Sequence, residues 1–411
     1  MTRRIVVTGL GAVCGLGRGT EALWRGLLGG RTAIRPLDRF DAAAHRTRLA
    51  AEVPQAHEDG TPGSAEGRLS LADRFALAAA AEALAQAGLA PPGDTAEAGV
   101  FFGSSTGGMW ESERWYARLL GRESGRPGLG SLVSQQYNGP GDAVARWAGA
   151  HGPVETVSSA CTSGAVAIAA AADALREGEV DLALAGGSDS LCQLTYAGFN
   201  SLRAVDAGPC LPFRAERGGM SLGEGAAVLV LEPLERALAR GARPLAELLA
   251  GASACDAHHM TAPSPQGRGA VLAIRRALAE AGLAPDDVDF VNAHGTGTAL
   301  NDAAEWQALL AALGEHAHEV PVAATKGTVG HLLGAAGAIE AAATILCLIH
   351  GRVHGTPAAG DVDPQAPVRL VTGERPALRP SAVGLSLNLA FGGSNSALLF
   401  RGPARAGGTA A

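Results

Sequence analysis

Two stretches of this chain occur twice. Phe101-Phe102-Gly103-Ser104-Ser105-Thr106 has the pattern of Phe290-Val291-Asn292-Ala293-His294, an apolar run ending in a polar loop. Ala160-Cys161-Thr162-Ser163-Gly164-Ala165-Val166 has the pattern of Leu333-Gly334-Ala335-Ala336-Gly337-Ala338-Ile339, a turn of small residues opening an Ala-rich helix. The two pairs read as one βα half, duplicated. That constrains the fold more than any other feature, because the chain must close as two similar units. We expect an N-terminal half over 1–224 and a C-terminal half over 225–411.

The elements between these landmarks alternate. An apolar strand, Ile5–Val13, precedes an amphipathic helix near Thr20–Leu28, with Trp24, Leu27 and Leu28 on one face. Residues 36–68 are charged and irregular and read as a surface excursion. A helix is expected from Ser70 to Ala87, stopped by Gly88, then strands at Ala98–Phe102 and Leu182–Gly187. After a loop-rich bridge near 200–224, the pattern restarts. Strands are expected at Ala226–Leu231, Val288–Asn292, Val322–Thr325, 383–388 and 397–400, with helices at Gly269–Gly282 and Gly337–His350. Alternation of this kind means an α/β domain with a largely buried sheet.

Composition narrows the function. The chain has 411 residues, 47% hydrophobic and 18% charged, which supports a large core. Its 57 glycines follow no Gly-X-Y period, so they read as tight turns and close backbone approaches. A formal charge of −7 with no basic run argues against nucleic acid. No window holds the ~18 uninterrupted apolar residues of a membrane helix. The apolar start is broken by Gly9 and Gly11, unlike a signal peptide. The six cysteines (Cys14, Cys161, Cys192, Cys210, Cys255, Cys347) form no Cys-x-x-Cys pair, which fits a reduced cytoplasm.

Two motifs are decoys. Gly9-x-Gly11-x-x-Cys14 lacks the third glycine of a dinucleotide fingerprint. His258-His259, His316-x-His318 and His350-x-x-x-His354 lack the further ligands of a metal set, so no metal is expected.

The chemistry lies in three loops that each follow a strand. They carry Cys161 at a helix start, His294 in Asn292-Ala293-His294-Gly295-Thr296-Gly297-Thr298, and His331 in Thr325-Lys326-Gly327-Thr328-Val329-Gly330-His331. In a twofold-repeated α/β fold, equivalent loops meet at one end of the sheet. A helix N-terminus favours a thiolate, the attacking form of cysteine. Neutral histidine Nε2–H groups can bind a developing enolate oxygen. One cysteine and two histidines therefore suit covalent acyl chemistry.

These motifs, with Asn301-Asp302, Glu305 and Gly392-Gly393-Ser394-Asn395, resemble those of β-ketoacyl-acyl-carrier-protein synthases of the elongating Cys-His-His type, over nearly the whole chain. The resemblance implies the thiolase fold: two βαβαβαββ halves in a five-layer α-β-α-β-α sandwich. It implies decarboxylative condensation of an acyl thioester with malonyl-acyl-carrier-protein, in fatty-acid or polyketide elongation. It also implies a cytoplasmic homodimer or ketosynthase-like heterodimer, and no cofactor beyond the carrier's phosphopantetheine. By motif, Cys161 takes the acyl group, and His294 and His331 bind the malonyl carbonyl. Lys326 pairs with Glu305, with Asp302 nearby. The N–H groups of Cys161 and Phe391 form an oxyanion hole, and Phe391 gates it. Thr296 and Thr298 hold the pantetheine arm. Thr106, Gln136 and Asn395 are expected at the substrate, with Gln136 and Tyr137 near the subunit interface and the floor of the acyl pocket. Related classes differ by residue: chain-length-setting partners lack the cysteine, thiolases carry a second late cysteine, and initiating enzymes have Asn where His331 stands.

The chain departs from the family pattern at three places. Pro212-Phe213-Arg214-Ala215-Glu216-Arg217-Gly218-Gly219-Met220 stands where the family has Pro-Phe-Asp-x-x-Arg-Asp-Gly-Phe. Leu389-Ala390 replaces Phe-Gly before Phe391, and Ala299 replaces a proline. An alanine there has less backbone freedom than glycine, so altered gate motion is expected. These changes bear on the substrate rather than the reaction. They leave open a chain-length-setting partner subunit of a heterodimer as the alternative reading.

Overall fold

The repeat is visible strand for strand. The structure, a computed structural model, describes residues 3–55, 69–126, 128–357 and 360–404. The first half supplies β1 (Ile5–Cys14), β2 (Gly99–Gly103), β3 (Val154–Val157), β4 (Ala183–Asp189) and β5 (Gly225–Pro233). The second supplies β6 (Ala246–Cys255), β7 (Phe290–Asn292), β8 (Pro321–Ala323), β9 (Val383–Leu389) and β10 (Ser394–Arg401). Hydrogen bonding orders them β3-β2-β4-β5-β1-β6-β10-β9-β7-β8. Each half thus has spatial order third, second, fourth, fifth, first. In both, the second strand lies parallel to the third and fourth, and the last lies antiparallel to its neighbours. β1 and β6 pair antiparallel across the seam.

β5 belongs to the first half, between β1 and β4. The strand expected to open the second half instead completes the first, and the second begins at β6. The sequence of β6, Ala-Glu-Leu-Leu-Ala-Gly-Ala-Ser-Ala-Cys, has no β-branched residue, which hid it from propensity.

Three apolar layers follow from side-chain alternation. In β5, Ala227, Leu229 and Leu231 point to one core while Ala226, Val228 and Val230 point to another. Sheets buried on both faces read as near-continuous apolar runs, as these do. The outer core of the first half is covered by α2 (Leu71–Ala87), after the amphipathic α1 (Thr20–Leu28). Ser70 caps α2 in a reciprocal box with Asp73, and left-handed Gly88 ends it. Gly9 and Gly11 have a packing role: a Cβ on either would fall about 2 Å from a carbonyl of α2 (Ala83, Ala79). The middle core lies around α3 (Ser163–Glu177), and the outer core of the second half around α4 (Arg268–Ala281) and α5 (Ala299–Leu313). The last helix, α6 (Ala336–His350), lies beside α3 in the middle layer. The layers are therefore helix, sheet, helix, sheet, helix: the thiolase fold. The stretch Leu333–His350 is long and apolar enough to cross a membrane, but 89% of it is buried in this middle layer.

The excursion expected at 36–68 is partly internal. Leu49–Ala51 forms a strand beside Leu222–Gly223, with Ala50, Ala51 and Val53 buried. The remainder, 56–68, lies outside the described residues.

Candidate active site

β3 leads to Cys161 through a strained turn. Ala160 is left-handed at φ 54°, a conformation unfavourable for a residue with a Cβ. One turn of 3₁₀ helix, Ala160–Thr162, then enters α3. The second half repeats this: Leu333 has φ 54°, and 3₁₀ helix Leu333–Ala335 enters α6. Cys161 thus aligns with Gly334. The first copy of the turn presents a nucleophile, and the second holds His331 two residues before it.

His294 follows β7. The Glu305 carboxylate, nearly two turns into α5, accepts the N–H groups of His294 (2.6 Å) and Gly295 (2.8 Å). Burial pushes its carboxyl up to about 8. Asp302 accepts the N–H groups of Phe213 (2.7 Å) and Gly297 (3.2 Å). Both acids shape the histidine loop. Glu305 does not pair with Lys326, contrary to expectation, because its oxygens already receive that loop's N–H groups. The partner of Lys326 is Glu340 on α6, whose other oxygen accepts the Asn388 amide at 2.5 Å. Sequence reading passed over Glu340, although it is the one Asp, Glu, Lys or Arg between 327 and 351. A buried lysine needs a carboxylate partner.

The remaining hydrogens of Lys326 Nζ reach His294 Nδ1 (2.9 Å) and the His294 carbonyl (2.6 Å). A fully engaged ammonium donates, so His294 Nδ1 accepts and its proton sits on Nε2. His331 Nδ1 accepts the Leu333 N–H at 3.0 Å, which places its proton on Nε2 as well. His331 Nε2 is buried without a protein partner. Burial, followed by the charge of Lys326, holds both imidazoles well below the usual histidine range, so they are neutral near pH 7.

The Cys161 sulfur and one ring nitrogen of each histidine lie within 4.8 Å of one another, and the rings meet edge-to-face at 5.4 Å. The spacing would suit a metal, but a metal takes lone pairs. The bonds to both Nδ1 atoms leave Nε2–H groups facing the sulfur instead. Burial pushes the thiol up to about 11. Lys326 and the N–H groups of Phe391 and Cys161 pull the other way. The resting group is therefore a thiol, where the helix N-terminus alone suggested a thiolate.

A cavity of about 360 Å³ opens on this point. Cys161, His294, His331, Thr296, Thr298, Phe391 and Asn395 line it together. The Thr296 and Thr298 hydroxyls share a hydrogen bond at 2.9 Å. Asn395 donates to Asp256 (3.1 Å) and to the Gly393 carbonyl (2.8 Å). Lys326, Glu305 and Asp302 stand behind the wall, each fully buried. One expected substrate contact is elsewhere: Thr106 turns its hydroxyl to Asp189 (2.9 Å). The threonine gave no cue to which way its side chain faces. Gln136 is exposed in the single chain, on the segment expected at the subunit interface. The structure adds Phe199, whose ring lies 5.6 Å from Phe391, and Met220. Ala390 has φ −134°, an ordinary extended conformation, so the residue is accommodated without strain.

A duplicated thiolase-type sandwich that sets a cysteine against two Nε2–H histidines defines a class, the acyltransferases that join thioesters. The comparisons with known proteins agree. Residues 2–237 match the family described as Beta-ketoacyl synthase, N-terminal domain, and 245–359 match Beta-ketoacyl synthase, C-terminal domain. The chain belongs to the β-ketoacyl synthase family. It is 37% identical to 3-oxoacyl-[acyl-carrier-protein] synthase 2 of Synechocystis sp., over 97% of this chain and 98% of that one. It is 39% identical to the actinorhodin polyketide putative beta-ketoacyl synthase 1 of Streptomyces coelicolor, over 100% and 91%. The ishigamide ketosynthase/chain length factor structure superposes with a TM-score of 0.90 at 33% identity, covering 98% of this chain and 100% of that one. The activity is decarboxylative condensation of an enzyme-bound acyl thioester with a malonyl thioester, in fatty-acid or polyketide elongation.

Proposed function

We propose that Cys161, His294 and His331 carry this reaction in two stages. In the first, Cys161 Sγ attacks the carbonyl of an acyl thioester. The donor C–S bond breaks, the acyl–Sγ bond forms, and the thiol proton leaves with the donor sulfur. Neither histidine takes that proton, since each Nδ1 is occupied and each Nε2 already carries a hydrogen. In the second stage, the malonyl thioester oxygen lies between the two Nε2–H groups. Loss of CO₂ leaves its electron pair as an enolate, held by those donors. Pre-aimed donors in a dry site are worth several kcal/mol of barrier, on the order of 3 each. The enolate carbon attacks the acyl–Cys161 carbonyl. The new oxyanion meets the N–H groups of Cys161 and Phe391. Collapse expels the Cys161 thiolate, which takes one proton from water. The balance is one CO₂ released and one proton consumed, with no electron transfer, so no resident cofactor is required.

Lys326 fixes the His294 tautomer, and Glu305 and Asp302 hold the loop. Thr296 and Thr298 receive the pantetheine arm, Asn395 braces the wall under Phe391, and Phe391 gates Cys161. The donor is an acyl carrier protein bearing phosphopantetheine, and the working site is the cytoplasm. The working unit is a dimer of like chains or a pair with a ketosynthase-like partner. Exposed Leu129, Val133 and Tyr137 support this, since a second subunit over that segment would bury them. A chain-length-setting role alone needs no nucleophile, whereas Cys161 sits against both histidines. That juxtaposition carries the reading. Acyl carrier protein donors should add an acyl mass to the intact protein and none to Cys161→Ala, which should also fail to release CO₂ and product. A Cys161→Ala protein that still elongated chains would defeat the assignment.

A further inference from the structure

The chemistry above leaves Asp189 without a task, yet its carboxylate is the most heavily bonded in the site region. It is fully buried at the end of β4 and accepts six donors, each an uncharged N–H or O–H group. Oδ1 receives the Ser104 hydroxyl (2.7 Å), the Thr106 N–H (2.8 Å) and hydroxyl (2.9 Å), and the Gly107 N–H (3.3 Å). The Ser105 N–H reaches both oxygens at 3.0 Å, and Oδ2 takes the Gly334 N–H at 2.6 Å.

Two of these bonds lead to the reacting groups. Gly334 follows Leu333, whose N–H sets the proton of His331. Ser105, held by its N–H, gives its hydroxyl to the Ala160 carbonyl at 3.2 Å, where it joins the Ser163 hydroxyl at 2.6 Å. That carbonyl belongs to the peptide whose N–H is the oxyanion donor of Cys161. Loading its oxygen polarises the N–H and strengthens it as a donor. Both anchored turns contain a left-handed residue, Ala160 and Leu333, and surroundings that over-determine such turns are what keeps them in place. A Cβ on Gly334 would lie 2.7 Å from Asp189 Oδ2 and 2.7 Å from the Ser105 N.

We propose that Asp189 is a positioning residue for both stages, holding the Cys161 oxyanion peptide and the Leu333 peptide to one carboxylate that bridges the two repeats. The proposal rests on the reaction assigned to Cys161, His294 and His331. Asparagine has the same shape but turns an amide NH₂ toward N–H groups that need an acceptor, so it opposes what aspartate supplies.

The test compares wild type, Asp189→Asn and Ser105→Ala as full-length protein. The assays are acyl loading by intact mass, condensation kinetics with acyl and malonyl carrier substrates, and ¹⁵N NMR of labelled histidines. Asp189→Asn should lower kcat about 10- to 100-fold, the scale of a small misplacement of reacting groups, with KM unchanged. The His331 signal should move from Nε2–H to a mixture with Nδ1–H. Ser105→Ala should slow acyl loading while leaving the His331 tautomer as it is, and it serves if Asp189→Asn does not fold. A folded Asp189→Asn with wild-type kcat and unchanged His331 signals overturns the proposal, as does Ser105→Ala with unchanged loading. Inactive wild type would defeat the functional assignment instead, and the NMR readout would still decide the tautomer.

Discussion

The chemistry at residue scale turns on where two protons sit. Lys326 spends all three hydrogens, two on His294 and one on Glu340. Replacing it by alanine leaves Glu340 buried and unpaired, which should cost about 3–5 kcal/mol in a denaturant titration. Lys326→Met with Glu340→Leu should recover most of that stability and none of the condensation rate, because His294 still lacks its Nδ1 donor. A stable and active double variant would refute the tautomer argument. The Cys161 thiol gives a second prediction. With the group pushed up to about 11, its thiolate fraction keeps rising with pH past the ordinary cysteine value of ~8.5. Iodoacetamide labelling of Cys161, read by peptide mass, should accelerate between pH 8 and 10 without levelling off.

Single elements show what the sequence could and could not reveal. The Ala160-Cys161 turn and its Leu333-Gly334 counterpart were legible because small residues at a strand-to-helix junction mark close packing in both copies. Gly164, for example, leaves no room for a Cβ, which would lie 2.8 Å from the Ala338 N. The five-layer sandwich was legible through the motifs, and the repeat through its paired loops. The Lys326 partner was not, since the nearest acid in the motif is Glu305 and only the three-dimensional path of α6 brings Glu340 in. Thr106 failed for a similar reason: a loop next to a site can face away from it. The strained turn itself is testable. Ala160→Gly removes a left-handed alanine and should raise stability by about 1 kcal/mol. It should also slow acyl loading, because the freed turn no longer fixes Cys161. A gain in both stability and loading rate would show that the strain serves no purpose.

At the scale of the whole molecule, three fully buried histidines are held uncharged, and stability should report that. His354 is fully buried, held down to about 4 by burial, and His294 and His331 lie low for the same reason. The unfolded chain protonates histidine near 6.5. Stability from a depressed group is therefore complete above that value and declines as pH falls toward the folded one. For His354 alone the loss by pH 4 is on the order of 3 kcal/mol. Buried Glu305, raised to about 8, has the opposite dependence, so the histidine contribution is read as a difference: the thermal midpoint of wild type relative to a His354→Gln variant should fall between pH 7 and pH 5, and a difference independent of pH would contradict the buried neutral state. The seam has a consequence of another kind. β1 lies in the middle of the sheet, yet its partners are β5 and β6, with Val6 opposite Glu232 and Glu247. A ribosome adding about 5–20 residues per second makes those partners some 10–45 seconds after β1. Through that interval the nascent chain carries an apolar strand with only Gly17–Arg18 at one end to pair with, so its exposure to wrong strand pairing is greatest before any substrate is met.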